Sequence, residues 1–292
     1  MFRTIIFLTI LQFFTVALFG QQSAAKLDLK NEQKIMVRVE VVNNKMQTAG
    51  AQVINFKLTG TALHQYTISK VSPNLYDLDH DLKEIQFEFD GMGQKKKFDS
   101  NNAEDMKGPF GPYIQYEISA INLMGIDSAG TTKRAITGAP GYNAPAPGPD
   151  EKLATIIEML IPLIKINQND KLGPDLFNVF KTIPNHDSSW FEGTSTDNEK
   201  YEYSLKLTAI TDSTILMDLK IQGSCNSSAE MMGRLTKTNE NIEGNGKLIY
   251  DRKTGLIKEK KVAITSNGTT EAMGGKVPLS GRLTIAYYIT VE

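Results

Sequence analysis

The residues best suited to catalysis are three histidines, His64, His80 and His186, and a single cysteine, Cys225. A histidine could act as the general base of a hydrolase if an acid or a nucleophile lay beside it in the fold. The chain contains no HExxH, CxxC or GxSxG sequence that would support such an arrangement. We place His64 and His80 near strand ends and His186 in a loop, and we expect Cys225 to be a small, buried or half-buried residue. A hydrolase that uses His80 or His186 with neighbouring acids is therefore the least favoured of three functional hypotheses.

Four acidic residues have the spacing of a calcium-binding loop. Asp77, Asp79 and Asp81 fall at its first, third and fifth positions, and Glu88 falls at the twelfth. The sharp turn of such a loop requires glycine at the sixth position, where this chain has Leu82. The end of the same window alternates apolar and polar residues, as a strand does. We therefore predict a solvated acidic turn followed by a strand, and no metal site.

The remaining motifs indicate no cofactor. Gly108–Gly111 and Gly244–Gly246 are too short to cradle a phosphate and lack the following Lys or Ser. Trp190, the only tryptophan, is interpreted as an anchor at a core edge rather than an exposed residue that stacks on a ligand. Lys95–Lys97 follows a predicted turn and is interpreted as a solvated edge rather than an anion site. The sequence thus predicts no catalytic, cofactor-binding or metal-binding residue and leaves any ligand-binding residues open.

The charge balance argues against nucleic acid as a partner. Lys and Arg number 32 against 33 Asp and Glu, which gives a formal net charge of −1. Binding to phosphate backbones needs clustered Lys and Arg, and this sequence has no long basic run. A hydrophobic content of 40% with 22% charged residues is typical of a folded globular chain.

Alternation of apolar and polar residues dominates the chain and predicts strands with one buried face. Ile35, Val37, Val39 and Val41 show this pattern, and Glu84–Asp90 shows it most clearly. Short turns such as Asp90-Gly91 separate the segments, which favours antiparallel pairing because parallel strands need long crossovers. We predict a mainly-β fold: a curved antiparallel sheet or half-barrel of roughly 12 strands. Further strands are predicted over 113–123, 132–136, 201–208, 215–221, 247–250, 256–266 and 281–292.

One central helix is predicted between the two β halves. Asp150 can cap its start, and an apolar face at helical spacing runs from Leu153 to Ile164. Pro162 should end or kink this helix, because proline lacks the backbone N–H. We expect the apolar face to pack on the concave side of the sheet or to form a movable lid over an apolar cavity. A second short helix is predicted over Asp175–Phe180.

The first twenty residues have the pattern of a secretory signal peptide. Arg3 precedes an apolar stretch from Ile5 to Phe19, and small residues allow cleavage after Gly20 or after Ala25. The expected organisation is a signal peptide over 1–20, an N-terminal β half over 21–137, a Pro/Gly-rich linker over 138–149, a helical insert over 150–190 and a C-terminal β half over 191–292. The two halves could form one β domain or two subdomains. We expect export to the periplasm or the exterior of a Gram-negative bacterium, with no transmembrane span after the signal is removed.

The layout resembles a family of exported proteins of the Bacteroidota that is defined by a domain of unknown function. The resemblance lies in the signal peptide, the Asp90-Gly91 turn leading to Phe98–Ser100, the polar stretch that ends at Trp190, and a late hairpin running from Gly244–Gly246 to Asp251–Leu256. Some members carry a lipidated cysteine, which this chain lacks. The family has no assigned catalytic residues, so the resemblance implies no site. A more distant likeness in architecture is to the half-barrels of periplasmic lipoprotein carriers.

These features favour a non-catalytic envelope protein that binds an apolar or amphipathic ligand. The motivation is the combination of export, many half-buried strands and an apolar helix that could cover a sheet. The alternative is a structural or adaptor protein that pairs with an envelope partner through a sheet edge.

Overall fold

The computed structural model describes residues 27–49, 52–72, 74–91, 93–138, 151–166, 172–178, 189–195, 199–231, 234–272 and 275–292. The predicted signal peptide, most of the predicted linker, the predicted cap Asp150 and His186 lie outside these residues. Three helices are present in the described part: α1 (Ala103–Met106), α2 (Gly111–Ser119) and α3 (Glu151–Ile164). The strands are β1 (Lys34–Ala49), β2 (Gln52–Ser72), β3 (Leu75–Gly91), β4 (Gln94–Asp99), β5 (Ile121–Asp127), β6 (Thr132–Gly138), β7 (Ser189–Ser195), β8 (Glu199–Ile210), β9 (Thr214–Met231), β10 (Arg234–Asp251), β11 (Ile257–Ala272) and β12 (Gly275–Val291).

The described strands form one sheet. Its order is β6-β5-β3-β2-β1-β12-β11-β10-β9-β8-β7, and β4 pairs with β3 further along the edge that β3 shares with β5. Every described pairing is antiparallel, which confirms the prediction of a mainly-β, antiparallel fold. Strands from the two halves of the chain meet where β1 pairs with β12. In the described residues the sheet is not closed, and β6 and β7 are its two ends.

The predicted alternation places the core on one face of this sheet, which we call the inner face. Ile35, Val37, Val39 and Val41 of β1 are each at most 2% exposed, whereas the residues between them face outward. Because partners in an antiparallel pair lie on the same face, the cross-strand register extends this core along the sheet. Val39, for example, is opposite Ala62 of β2 and Tyr287 of β12, and both are buried.

The inner face is concave, and residues 172–178 lie across it. Phe177 packs edge-on against Tyr66 of β2 at 4.9 Å between ring centroids, and a Cβ on Gly173 would lie 3.0 Å from Leu219 of β9. Five strand spacings separate β2 from β9, which is about 24 Å in a flat sheet. Four residues span at most about 14 Å, and a turn with a 3.0 Å bond from the Asn178 N–H to the carbonyl of residue 175 shortens this segment further. The sheet therefore curls around this segment.

Helix α3 fills the concave side next to β1, β2 and β3. Five of its apolar residues are at most 4% exposed: Ile156, Met159, Leu160, Leu163 and Ile164. The helix continues two residues past Pro162, since it ends at Ile164. It packs closely on β2 because Gly60 has no side chain, and a Cβ there would lie 2.6 Å from Cδ1 of Leu163.

Two local predictions were wrong. Residues 111–119 form helix α2 rather than the start of a strand. Pro112 fits the beginning of this helix, because the first N–H groups of a helix make no helical bond and proline has no N–H. The strand begins only at Ile121. Residues 175–178 form a turn rather than a second helix. The short helices α1 and α2 accompany α3, so α3 is not the single helix that was predicted. No helix in the described ranges is both long and apolar enough to cross a membrane.

The contact between Gly60 and α3 yields a direct test of the packing. In a Gly60→Ala variant the new methyl group would meet Leu163 and also the backbone oxygen of Gln86 at 2.8 Å, which cannot move away easily. We expect the free energy of unfolding to fall by about 1–3 kcal/mol in urea denaturation. Gly275→Ala is the matched control, because nothing lies within 4 Å of its added Cβ. Equal effects of the two substitutions would contradict this packing.

Candidate functional site

Two of the three histidines meet in the interior rather than near strand ends, where we had placed them. His64 of β2 is fully buried, and His80 of β3 is 6% exposed. Their rings lie nearly parallel and edge to edge, with 5.1 Å between centroids, and Nδ1 of His64 lies 2.9 Å from Nε2 of His80. The signal for this was present in the sequence, since both histidines fall in the buried phase of the alternation, beside Tyr66 and Leu78.

A helix carbonyl fixes which nitrogen of each ring carries the proton. Nε2 of His64 lies 2.8 Å from the backbone oxygen of Leu163, and because a carbonyl can only accept, Nε2 of His64 donates. In the neutral ring Nδ1 of His64 then accepts from Nε2–H of His80. Nδ1 of a neutral His80 is consequently unprotonated. We call this chain of bonds, from Leu163 through His64 to His80, the histidine relay.

Burial keeps both rings neutral. It lowers the pKa of His64 from 6.5 to about 3, an effect that the neighbouring His80 reinforces and the bond to Leu163 opposes. Burial also lowers the pKa of His80 from 6.5 to about 4, against the attraction of Asp81. Tyr66 covers the other side of His80, with its ring stacked at 4.6 Å.

The relay ends at a small cleft of about 150 Å³ on the inner face of β5 and β6. Helix α2 and the end of α3 provide its other walls. The lining residues are His80, Glu117, Asn122, Leu123, Met124, Thr132, Ala135, Ile136, Ile164, Lys165 and Ile166. We call this space the β5–β6 cleft.

The polar wall of the cleft contains an ion pair whose carboxylate is buried and whose lysine is partly exposed. Glu117 of α2 is 8% exposed, and Nζ of Lys165 lies 3.1 Å from its Oε1. The hydroxyl of Tyr113 donates to the same carboxylate, and burial together with this negative charge raises the pKa of Tyr113 well above its ordinary value. The carboxylate therefore has both a cation and a neutral donor beside it.

Two acceptors sit side by side on the sheet wall of the cleft. His80 and Asn122 are cross-strand partners on β3 and β5, so their side chains leave the same face next to each other. Nδ2 of Asn122 donates to the carbonyl of Ala120 at 3.4 Å, which leaves Oδ1 as an acceptor. Nδ1 of His80 has no hydrogen-bond partner among the described residues, and His80 lines the cleft.

Lys260 is a second buried polar group, and it has a structural role. Its Nζ donates to the carbonyl of Pro174 at 2.7 Å, and the ring of Tyr287 lies 5.6 Å away. Burial lowers its pKa to about 8, although the charge of Asp175 acts in the opposite direction. Because the side chain is fully enclosed, it holds residues 172–178 on the sheet and offers no access to a ligand.

The other sequence candidates lie elsewhere. The acidic stretch is part of strand β3 and not a turn, and Asp77 pairs there with Arg134, whose side chain crosses Gly125. Leu82, at the position where a calcium loop needs glycine, is 3% exposed in the core.

The lysine run lies on β4, where Lys97 pairs with Glu88 at 2.5 Å and Lys95 with Asp90 at 3.3 Å, as a solvated edge does. Cys225 is half-buried in β9, and residue Trp190 lies in β7.

Comparison with known proteins adds no assignment. No protein-family model matches the chain, and no curated protein matches it. Among solved structures, an outer membrane channel from Pseudomonas putida F1 is 5% identical over 90% of this chain and 97% of its own, with a TM-score of 0.25. The translocator domain of autotransporter NalP from Neisseria meningitidis is 6% identical over 90% of each chain, with a TM-score of 0.20. The outer membrane protein opdK from Pseudomonas aeruginosa is 6% identical over 90% of this chain and all of its own, with the same TM-score. Likeness at this level carries no argument about function.

The buried neutral histidines predict a specific loss of stability in acid. The unfolded chain binds a proton at His80 near pH 6.5 and the folded chain only near pH 4, so stability falls as the pH drops between these values. Between these pH values, His80 contributes up to about 1.4 kcal/mol per pH unit to the slope of the unfolding free energy against pH. We expect His80→Gln to flatten the pH dependence of the unfolding free energy by that amount, as measured by urea denaturation from pH 7 to pH 4.5. Parallel curves for the two proteins would show that His80 is not buried as a neutral ring, since the carboxylates contribute equally to both.

Proposed function

We propose that this protein is an exported, non-catalytic binding protein that holds a small amphipathic ligand in the β5–β6 cleft. One observation carries the proposal: a half-enclosed cleft, lined by both apolar and polar side chains, includes a histidine whose unprotonated nitrogen has no partner among the described residues. Binding sites of this kind combine apolar surface with a few fixed polar groups that orient the ligand.

The volume of the cleft limits the enclosed part of a ligand to a few atoms. A volume of about 150 Å³ corresponds to about five groups the size of a water molecule, at ~30 Å³ each. The best small ligands gain about 1.5 kcal/mol per non-hydrogen atom, so five atoms give a Kd that is roughly micromolar at the tightest. The concave face beneath α3 is filled by the side chains of the helix itself. The cleft at the open edge of the sheet is therefore a better place for a ligand than the space under the helix.

The chemistry of the relay favours binding over catalysis. General bases work best when their pKa lies near the working pH, whereas burial holds the pKa values of His64 and His80 at about 3 and about 4. The protons of the relay are committed to fixed acceptors, one of them a backbone carbonyl. Such an arrangement presents a permanent acceptor to a ligand but accepts a proton only at low pH.

Export is the second part of the proposal. Residues 1–20 have the composition of a signal peptide, and the outer face of the sheet carries ion pairs suited to water, such as Arg38 with Glu40 at 2.9 Å. We propose a periplasmic or extracellular location on these grounds.

The adaptor function is the second candidate, and the edge strand β6 favours it. Residues 132–136 are all exposed, and Ile136 is 54% exposed. Such an edge could receive a strand of a partner. Lys133 and Arg134 are charges of the kind that discourage edge pairing, and for this reason we rank this function below ligand binding.

A cleft-blocking substitution tests the proposed function. We expect n-butylamine, n-butanol or butyrate to shift the methyl NMR signals of Met124, Ile164 and Ile166, which line the cleft. Ala135→Phe should abolish these shifts, because Ala135 lines the cleft on an exposed strand where a large side chain can be accommodated.

Val53→Phe is the matched control for this experiment. Val53 is exposed on β2, eleven residues from His64 and thus about 35 Å away along the strand. The Val53→Phe variant should show the same methyl shifts as the unsubstituted protein, with an apparent Kd within twofold. The proposal fails if none of the three probes shifts these methyl groups, or if Ala135→Phe leaves the shifts intact.

A further inference from the structure

From the direction of the bonds in the histidine relay, we infer that the polar group of the ligand is a primary ammonium. This inference rests on the proposed ligand-binding function. It starts from the carbonyl of Leu163, which can accept but never donate, and which thereby leaves Nδ1 of His80 as an acceptor two bonds further along. A ligand atom that meets this nitrogen must bring a hydrogen.

Asn122 offers the same chemistry beside His80. One N–H of its amide group donates to the carbonyl of Ala120, and the oxygen of the side chain is its acceptor. The two side chains are cross-strand partners, whose Cβ atoms lie about 5 Å apart in such pairs. One donor-rich group can therefore contact both.

The third acceptor is the carboxylate of Glu117. It lines the same cleft, is 8% exposed, and is an acceptor only. An ammonium has three donors and no acceptor, which matches three acceptors around one cleft. A carboxylate ligand would instead meet two neutral acceptors and the carboxylate of Glu117, and of the residues that line the cleft only Lys165 carries a charge that would attract it.

The side chain of Lys165 already places one ammonium group at this cleft. Its own ammonium lies 3.1 Å from Glu117, on a side chain that is 31% exposed and can turn to solvent. The apolar walls, which include Ile164 and Ile166, leave room for a short alkyl chain. The ligand class is therefore a short primary alkylamine in its protonated form, which binds beside Lys165 or in its place.

Matched probes of equal chain length test the inference. At pH 7 the purified protein should bind n-butylamine at least tenfold more tightly than butyrate and more tightly than n-butanol, as measured by the same methyl NMR titration. Lys165→Met should strengthen butylamine binding severalfold, because a competing positive charge is removed. Asn122→Asp should do the same, because it adds a negative acceptor.

The outcomes separate this inference from the function on which it rests. If butyrate binds more tightly than butylamine and Lys165→Met abolishes butyrate binding, the inference of an ammonium group is wrong, but the cleft still binds a ligand. Equal binding of butylamine and butanol would also overturn it, since charge would then play no part. If none of the three probes binds, the proposed function fails and the inference fails with it.

Discussion

The structure depends on a hydrogen bond between the end of a helix and a histidine in the sheet. The last carbonyls of a helix have no partner within it, and the carbonyl of Leu163 is one of these because α3 ends at Ile164. His64 satisfies the carbonyl of Leu163 from the inner face of β2. This single bond docks the end of α3 and fixes the proton on Nε2 of His64, which in turn sets the proton position on His80 at the wall of the cleft.

The same solution recurs across the concave face. Asn43 donates to the carbonyl of Met159 at 3.4 Å, His64 to that of Leu163 at 2.8 Å, and Lys260 to that of Pro174 at 2.7 Å. Each is a polar side chain on an otherwise apolar surface, and each acceptor belongs to α3 or to the segment that follows it. A buried donor without a partner costs about 1–3 kcal/mol, and so does a buried carbonyl, so the bonds to Leu163 and Pro174 each relieve two costs at once. The carbonyl of Met159 lies inside α3 and already accepts a helical bond, so there the gain is the satisfied donor of Asn43. These bonds also specify where α3 and residues 172–178 lie, which apolar contacts alone would define less sharply.

The sequence predicts the strands of the sheet well because alternation of apolar and polar residues can be recognised within each strand by itself. Alternation along β1 and β3 assigns the buried face residue by residue, and it would have assigned His64 and His80 to the core had the histidines been treated like their apolar neighbours. Helix α2 was missed because its apolar residues, among them Ile114 and Ile118, also fit an alternating pattern over a short window. A proline such as Pro112 is common at a helix start, but proline alone does not distinguish a helix start from a turn. The β5–β6 cleft could not be predicted, since Glu117, Lys165 and His80 are brought together by pairings between distant strands and by the docking of α3.

The central claim concerns the positions of two protons, and imidazole nitrogen NMR tests it directly. Two-bond ¹⁵N–¹H correlation spectra at pH 7 should show His64 and His80 both neutral, each with its proton on Nε2, and with a bare Nδ1 on His80. A proton on Nδ1 of His80, or a charged ring at either histidine, would contradict the account, because the cleft would then present a donor where an acceptor is required.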